Sequence, residues 1–354
     1  MFVASMRLPE DPGVSAAASG EDRASRRSRR LAAFHPAFAR EIQRLTAEAG
    51  SLEDLADSFP ALLFALATGY GCDMRQARAI TLVQKGRPLR EAADSLGLPW
   101  WLRKLPAGAF CAPLAAVPDD PDFAAAVVGL IPDRVGPARA WFTRLIDAHA
   151  GCHAVFALWI ARHYRASSLP IEDPALRYLA AWAWHSDRPG APGHAILRRP
   201  WTPDIGLRRA LDEVGVWRRR AALAICLGPC AADDWVADGG ANGYEFVVLR
   251  TIEDFLAEAE AMGNCLDQFA DHIETGATQV VSLRRNGRRL ADIEIGIRDR
   301  QAGVPEILQL KTARNRRAPP ELWQATYAWL GTQPLAAVTP DAALPAMRRR
   351  NRRE

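Results

Sequence analysis

Apolar positions along this chain follow two different rhythms. From about Leu31 to Ala231 they recur at helical spacing, and beyond Tyr244 they alternate with polar residues over short runs. Ile42, Leu45 and Ala49 mark one helical stripe, and Val155, Leu158 and Trp159, spaced i, i+3 and i+4, mark another. Ser51 followed by Asp54 reads as the N-cap of a helix. Pro174 to Trp184 predicts a further helix, ended by Ser186-Asp187-Arg188-Pro189-Gly190, and Val214 to Leu227 predicts the last of this series. No fixed period repeats, so a regular solenoid is not expected.

The grammar changes after a Gly- and Asp-rich stretch around Asp238-Gly239-Gly240-Ala241-Asn242-Gly243, which reads as a hinge. Phe246 to Leu249 predicts a short strand. Thr251 with Asp254 caps a helix whose apolar stripe is Ile252, Phe255, Leu256, Ala259 and Met262. Gly263 either kinks or breaks that helix, and the helical pattern resumes through Ile273 to stop at Gly276. Three strands follow: Gln279 to Arg285, then Arg289 to Ile297 after the turn Asn286-Gly287, then Glu306 to Thr312. Pro319-Pro320 opens a final helix, Glu321 to Leu330. The fold class expected is therefore α+β, a mostly helical N-terminal region followed by a small helix-plus-antiparallel-sheet domain. Its expected divisions are a disordered basic N-terminus (1–30), a helical domain (31–231), a linker (232–244), the α+β domain (245–335) and a basic tail (336–354).

Alternation assigns the faces of the sheet. Val281 and Leu283, then Ala291, Ile293, Ile295 and Ile297, then Leu308 and Leu310 share an aliphatic face, expected to lie under the helices. Ser282 and Arg284, Asp292 and Glu294, and Gln309 and Lys311 share the other. That face is either a polar pocket on a rigid sheet or a solvated surface of cross-strand ion pairs worth a few tenths of a kcal/mol each. Met262, Cys265, Phe269 and Ile273 lie at i, i+3, i+7 and i+11, one apolar helix face. This phase makes Cys265 a small buried hydrophobe rather than a nucleophile. His272 would lie two turns from it, out of hydrogen-bond reach along a straight helix.

Composition narrows the classes. At 49% hydrophobic and 24% charged the chain has material for a core. No uninterrupted apolar run reaches membrane-spanning length, and the N-terminus does not read as a signal peptide. Cysteines at 72, 111, 152, 226, 230 and 265 are far apart, as expected of reduced thiols in a cytoplasmic protein. The net charge is only +4, but Arg298 to Glu354 carries ten Arg and one Lys against five acids. Arginine suits phosphate and carboxylate partners; a high-GC genome would also favour it over lysine. Nine of the eleven tryptophans precede Gly240; Trp141, Trp159, Trp182 and Trp217 read either as core seams or as an aromatic binding surface. Asp147, His149, Cys152 and His153 do not form a metal pattern, and Cys226 and Cys230 are one residue too far apart for a C-x-x-C motif. No phosphate-cradling or dinucleotide glycine motif exists, so no cofactor and no metal are expected.

The order of elements resembles a known family. Met262-Gly263-Asn264-Cys265-Leu266, then Phe269, Ala270, Ile273 and Gly276, then Ser282-Leu283-Arg284, Asp292-Ile293-Glu294 and Gln309-Leu310-Lys311 with Arg314-Asn315 are similar to the PcfJ-like domain. The resemblance covers about residues 258–317. Leu98 to Pro106 also looks like the helical N-terminal part of some relatives. That family takes its name from a conjugative plasmid protein, occurs in bacteria, plasmids and phages, and has no assigned biochemical role. Departures are Asn264 where many relatives carry His, Phe269 for Tyr and Thr312 for Gly. Asn264 can hydrogen-bond but cannot transfer protons near neutral pH.

The resemblance implies a binding or accessory protein associated with mobile elements, and the Arg-rich C-terminal segment beside the polar sheet face adds nucleic acid as an expected partner. Its candidate binding residues are Asn264, Arg284, Glu294, Gln309, Lys311, Arg314 and Asn315. Two alternatives stay open. One is an enzyme with Cys265 and Glu294 as catalytic candidates beside Arg284 and Gln309; the other is a helical scaffold for a protein partner.

Overall fold

The structure is a computed structural model and describes residues 28–115, 117–166, 173–228, 234, 236–274, 278–297 and 305–333. The basic terminal segments 1–27 and 334–354 lie outside the described residues. The chain divides into two compact units, Met1–Trp184 and His185–Glu354.

The first unit is helical: α1 (Ala39–Glu48), α2 (Leu55–Ser58), α3 (Pro60–Ala67), α4 (Asp73–Gln84), α5 (Leu89–Leu96), α6 (Pro121–Val128), α7 (Val135–Gly151), α8 (Ala154–Ala166) and α9 (Asp173–Ser186). All eight residues of α3 are buried, because Pro-Ala-Leu-Leu-Phe-Ala-Leu-Ala offers no polar face. Phe64 on that helix meets Phe38 edge-on at 5.0 Å and stacks on Phe110 at 5.3 Å. Trp141, Trp159 and Trp182 are buried, and Trp141 Nε1 donates to the Ala161 carbonyl at 3.1 Å. These indoles are core seams. Ser51 sits inside a short 3-10 turn, Gly50–Leu52, where the sequence expects a helix cap. His153 accepts a hydrogen bond from the Phe156 amide at 3.1 Å and so supports the start of α8. Among the described residues no group of three or more His, Cys, Asp or Glu is placed to hold a metal, and no helix is long and apolar enough to cross a membrane.

The second unit is α+β. It holds α10 (Leu207–Cys226) and six antiparallel strands paired in chain order: β1 (Gly239–Ala241), β2 (Tyr244–Val248), β3 (Thr278–Arg285), β4 (Arg288–Ile297), β5 (Pro305–Thr312) and β6 (Arg316–Arg317). Between β2 and β3 lie α11 (Ile252–Met262) and the one-turn α12 (Ala270–Ile273); α13 (Pro320–Leu330) follows the sheet. The Gly-rich stretch read as a hinge contains β1 and its turn into β2. Asn242 and Gly243 take φ of 52° and 77° there, as Asn286 and Gly287 take 50° and 72° between β3 and β4. Paired positive φ is what the tight hairpin turn requires and Asn-Gly tolerates. Helix α10 packs on α12 and its neighbouring turn: Arg220 Nε lies 3.4 Å from Asp267 Oδ2, and Cys226 Sγ is 3.7 Å from the Ala270 carbonyl. Trp217, also buried, donates to the Gly193 carbonyl at 2.9 Å.

Both faces of the sheet are covered. Phe246, Val248, Val281, Leu283, Ala291, Ile293, Ile295 and Leu310 pack under Leu322, Ala325 and Trp329 of α13, with Trp329 stacked on Phe246 at 4.6 Å. Each large side chain so buried contributes about 1.5–3 kcal/mol. The face expected to be either a polar pocket or a solvated surface carries a second core as well: Val280 joins Leu249, Phe255, Ala259, Leu266 and Ala270.

Two bulges rephase the pattern. The register slips between Glu294 and Ile295, so Ile307 opposes Ile295 and Leu308 is the extra residue. Ile307 packs against the α13 core in place of Leu308, which alternation had assigned there. A second slip between Leu283 and Arg284 sets Arg284 opposite Arg289 and leaves Leu290 as the extra residue.

Candidate functional site

The site begins where α11 ends. The capping box predicted from Thr251 and Asp254 is present at its start. Its end is set by Gly263, whose φ of 61° closes the helix in a left-handed cap. The helix therefore does not carry Cys265, which corrects the helical phase assigned to it. Cys265 lies in the connection after the cap and is exposed rather than buried with Met262. Asn264 holds this connection in place: its Oδ1 accepts from the Leu266 amide at 3.2 Å and its Nδ2 donates to Asp292 Oδ2 on β4.

Six of the sequence candidates line one cavity of about 280 Å³: Asn264, Cys265, Glu294, Gln309, Lys311 and Asn315. Asp292, Leu266, Phe269 and Val280 complete its wall. The register explains the convergence, since Glu294 faces Gln309 and Asp292 faces Lys311 across β4 and β5. Gln309 Nε2 donates to Glu294 Oε2, and His272 Nδ1 lies 3.0 Å from Glu294 Oε1. His272 thus partners Glu294, not the thiol, and stacks on Phe269 at 4.7 Å. Asn315, at φ 57°, points Nδ2 at Cys265 Sγ over 3.9 Å.

Arg284 and Arg314 do not line the cavity. Arg284 serves a buried cluster that the sequence reading missed. Glu258 on α11 is fully buried; Oε1 accepts from Ser282 Oγ at 2.6 Å, and Oε2 from Arg284 Nη2 at 3.1 Å and Arg289 Nε at 2.8 Å. Arg284 Nε also donates to Ser282 Oγ at 2.9 Å. A carboxylate held this way is matched by two cations and a hydroxyl, which is what lets a charge sit inside a core. The signal for Glu258 was its phase, three residues past Phe255 and four before Met262 in the buried stripe of α11. Arg289 had no such signal, because strict alternation puts it on the aliphatic face and only the bulge turns it to Glu258. Arg314 precedes the lining residue Asn315, and its Cγ is 3.6 Å from where a side chain on Gly263 would begin.

Asp292 is the other member missing from the candidate list. Burial, reinforced by the Glu258 charge beside it and opposed by Asn264 and Arg289, raises its carboxyl from 3.8 to about 8. The shift favours the protonated form, with the Glu258 carboxylate placed to accept its proton. Asp292 Oδ1 is buried without a hydrogen bond of good geometry among the described residues. Lys311, also facing the cavity, makes no ion pair among the described residues.

The cavity's chemistry favours recognition over thiol catalysis. A nucleophilic cysteine needs a base or a cation to hold its thiolate. The hydrogen-bond partner of Cys265 is an amide, the His272 imidazole is engaged by Glu294, and the cation in the same cavity is Lys311. Comparison with protein-family models, with curated proteins and with solved structures finds no match for this chain.

Proposed function

We propose that this chain is an accessory protein of the PcfJ-like kind that binds nucleic acid through one end of its C-terminal sheet. The observation that carries the reading is a row of cations at that end. The β3–β4 and β5–β6 turns fall on the same side of an antiparallel meander. They bring together Arg285, Arg288, Lys311, Arg314, Arg316 and Arg317, none in an ion pair among the described residues. No acid interrupts the sequence from Arg284 to Ala291 or from Lys311 to Pro320. Arginines outside ion pairs meet phosphates without first giving up a carboxylate, and of these Arg285 lies over the Tyr244 ring at 5.4 Å. Association with a mobile element rests on the family resemblance alone.

The test is a fluorescence-anisotropy titration of single-stranded and duplex DNA and RNA against salt. Binding to a single strand is expected to weaken as salt rises, with a logarithmic slope of about −0.7 for each phosphate contacted. Replacing Arg314, Arg316 and Arg317 by Ala should flatten that slope by about 2. No affinity for any of these polymers at low salt overturns the proposal.

A second reading, an enzyme with Cys265 as nucleophile, is favoured by one fact: the exposed thiol shares its cavity with Glu294. The rate of Cys265 alkylation against pH decides it. A plateau below neutral pH supports an activated thiolate, and a rate still climbing in mild alkali removes it.

A further inference from the structure

Resting on that reading, we propose that the cavity beside the cationic end takes one nucleobase, with the attached phosphate held outside it by Lys311 and Arg314. The volume of about 280 Å³ is just below the 300 Å³ or so at which sites for whole small molecules begin. It suits a single planar heterocycle, with sugar and phosphate left at the rim. One wall is aromatic, Phe269, and two are aliphatic, Leu266 and Val280. A base recognised out of its stack needs this combination of a flat apolar surface and polar groups at its edge.

The polar groups left over after the internal hydrogen bonds are of both kinds. Gln309 gives its Nε2 to Glu294 and Asn315 turns its Nδ2 toward Cys265, so Gln309 Oε1 and Asn315 Oδ1 remain as acceptors. Asp292 supplies a buried oxygen, Oδ1, without a hydrogen bond of good geometry among the described residues, Glu258 being the acid beside it. The second amide hydrogens of Gln309 Nε2 and Asn315 Nδ2 supply donors beside it. A buried polar atom left unsatisfied costs about 1–3 kcal/mol, and a ligand edge placed against it removes that cost. Heterocycle edges carrying both donors and acceptors, as all nucleobases do, match such a set; a purely anionic or purely apolar ligand would not.

The rim continues the same assignment. Lys311 lines the cavity and makes no ion pair among the described residues, and Arg314 is set beside Gly263, next to the lining residues Asn264 and Asn315. A phosphate one sugar away from a base in the cavity falls among these two cations. The base can belong to a free nucleotide or to a strand, and the two sources are separable.

The experiment uses the full chain and reads alkylation of Cys265, which lines the cavity and is exposed, by peptide mapping with Cys72, also exposed, as an internal control. The additions are a nucleoside monophosphate, ribose 5-phosphate, and a single-stranded oligonucleotide with and without an abasic block. Nucleoside monophosphate or intact strand is expected to suppress most of the Cys265 alkylation at saturation and to leave Cys72 unchanged. Ribose 5-phosphate and the abasic strand should not protect. Lys311→Ala and Phe269→Leu should each raise the half-protecting concentration, and an unchanged circular-dichroism spectrum and urea midpoint certify the fold. Equal protection by ribose 5-phosphate overturns the base pocket. Strand binding without any protection of Cys265 overturns it too, while leaving the nucleic-acid reading intact. Protection by the mononucleotide with no strand affinity keeps the pocket as a nucleotide site and removes the strand. Absence of protection together with absence of strand affinity overturns both.

Discussion

Asp292 shows how one residue can be tuned by its surroundings into a group of different chemistry. The same carboxyl on an exposed strand would be a charge; between Glu258 and Asn264, and 6% exposed, it is an acid up to about pH 8. The linkage has a definite sign. Below pH 4 the group is protonated both folded and unfolded and contributes no pH dependence. From pH 4 to 8 the unfolded chain releases the proton while the folded one keeps it, so stability falls as pH rises, by at most about 1.4 kcal/mol per unit. Above pH 8 both forms are ionised and the loss stops growing. Asp292→Asn removes the titration but keeps the shape. Urea denaturation at pH 5 and pH 8 should show the wild type losing stability relative to this variant; an equal difference at both values would mean that the carboxyl is not held protonated. At the same scale, Gly263→Ala places a side chain at φ 61° and should cost about 1 kcal/mol or more. Because the cap also sets the position of Asn264 and Cys265, its Cys265 alkylation rate should change as well, which a loss of stability confined to α11 would not produce.

The elements of the sheet were legible in the sequence because alternation is a local property. Each of the three long strands and the closing helix falls within a residue or two of its expected place, and the convergence of Glu294, Gln309 and Lys311 follows from strand pairing. What was not legible depends on a break in periodicity. A left-handed Gly263 moves Cys265 out of the helical phase that buried it, and a bulge turns Arg289 from the aliphatic face onto Glu258. Nor does a strand pattern reveal that a helix will cover its polar face; that followed from the charge on α11, Glu258, finding its partners there. The cluster carries its own expected outcome. Replacing Arg284 and Arg289 together by Met leaves Glu258 charged in the interior and should cost about 3–5 kcal/mol. Adding Glu258→Leu to that pair should recover most of the loss in the same denaturation series. A triple variant no more stable than the double would show that the arginines act by packing rather than by neutralising a buried charge.

At the scale of the molecule, charge placement matters more than charge total. A net charge of +4 on 354 residues makes a weak overall field, so attraction for a polyanion has to come from where the unpaired cations stand. In the helical unit, Arg44 pairs with Glu48 at 2.9 Å and Arg87 with Glu91 at 3.0 Å, each an exposed i,i+4 pair whose charge is met locally. The sheet end offers Arg314, Arg316 and Arg317 with no acid beside them in sequence and no ion pair among the described residues. Substituting Arg44 and Arg87 by Gln removes two charges, and substituting Arg316 and Arg317 by Gln removes the same two. If total charge governed binding, the two double variants would weaken single-strand affinity equally at every salt concentration. If the sheet end is the contact, the first leaves the salt slope unchanged and the second flattens it by about 1.4. Anisotropy titrations of both variants over the same salt series separate these outcomes, since a field spread over the whole chain cannot distinguish which pair was lost and a local phosphate contact must.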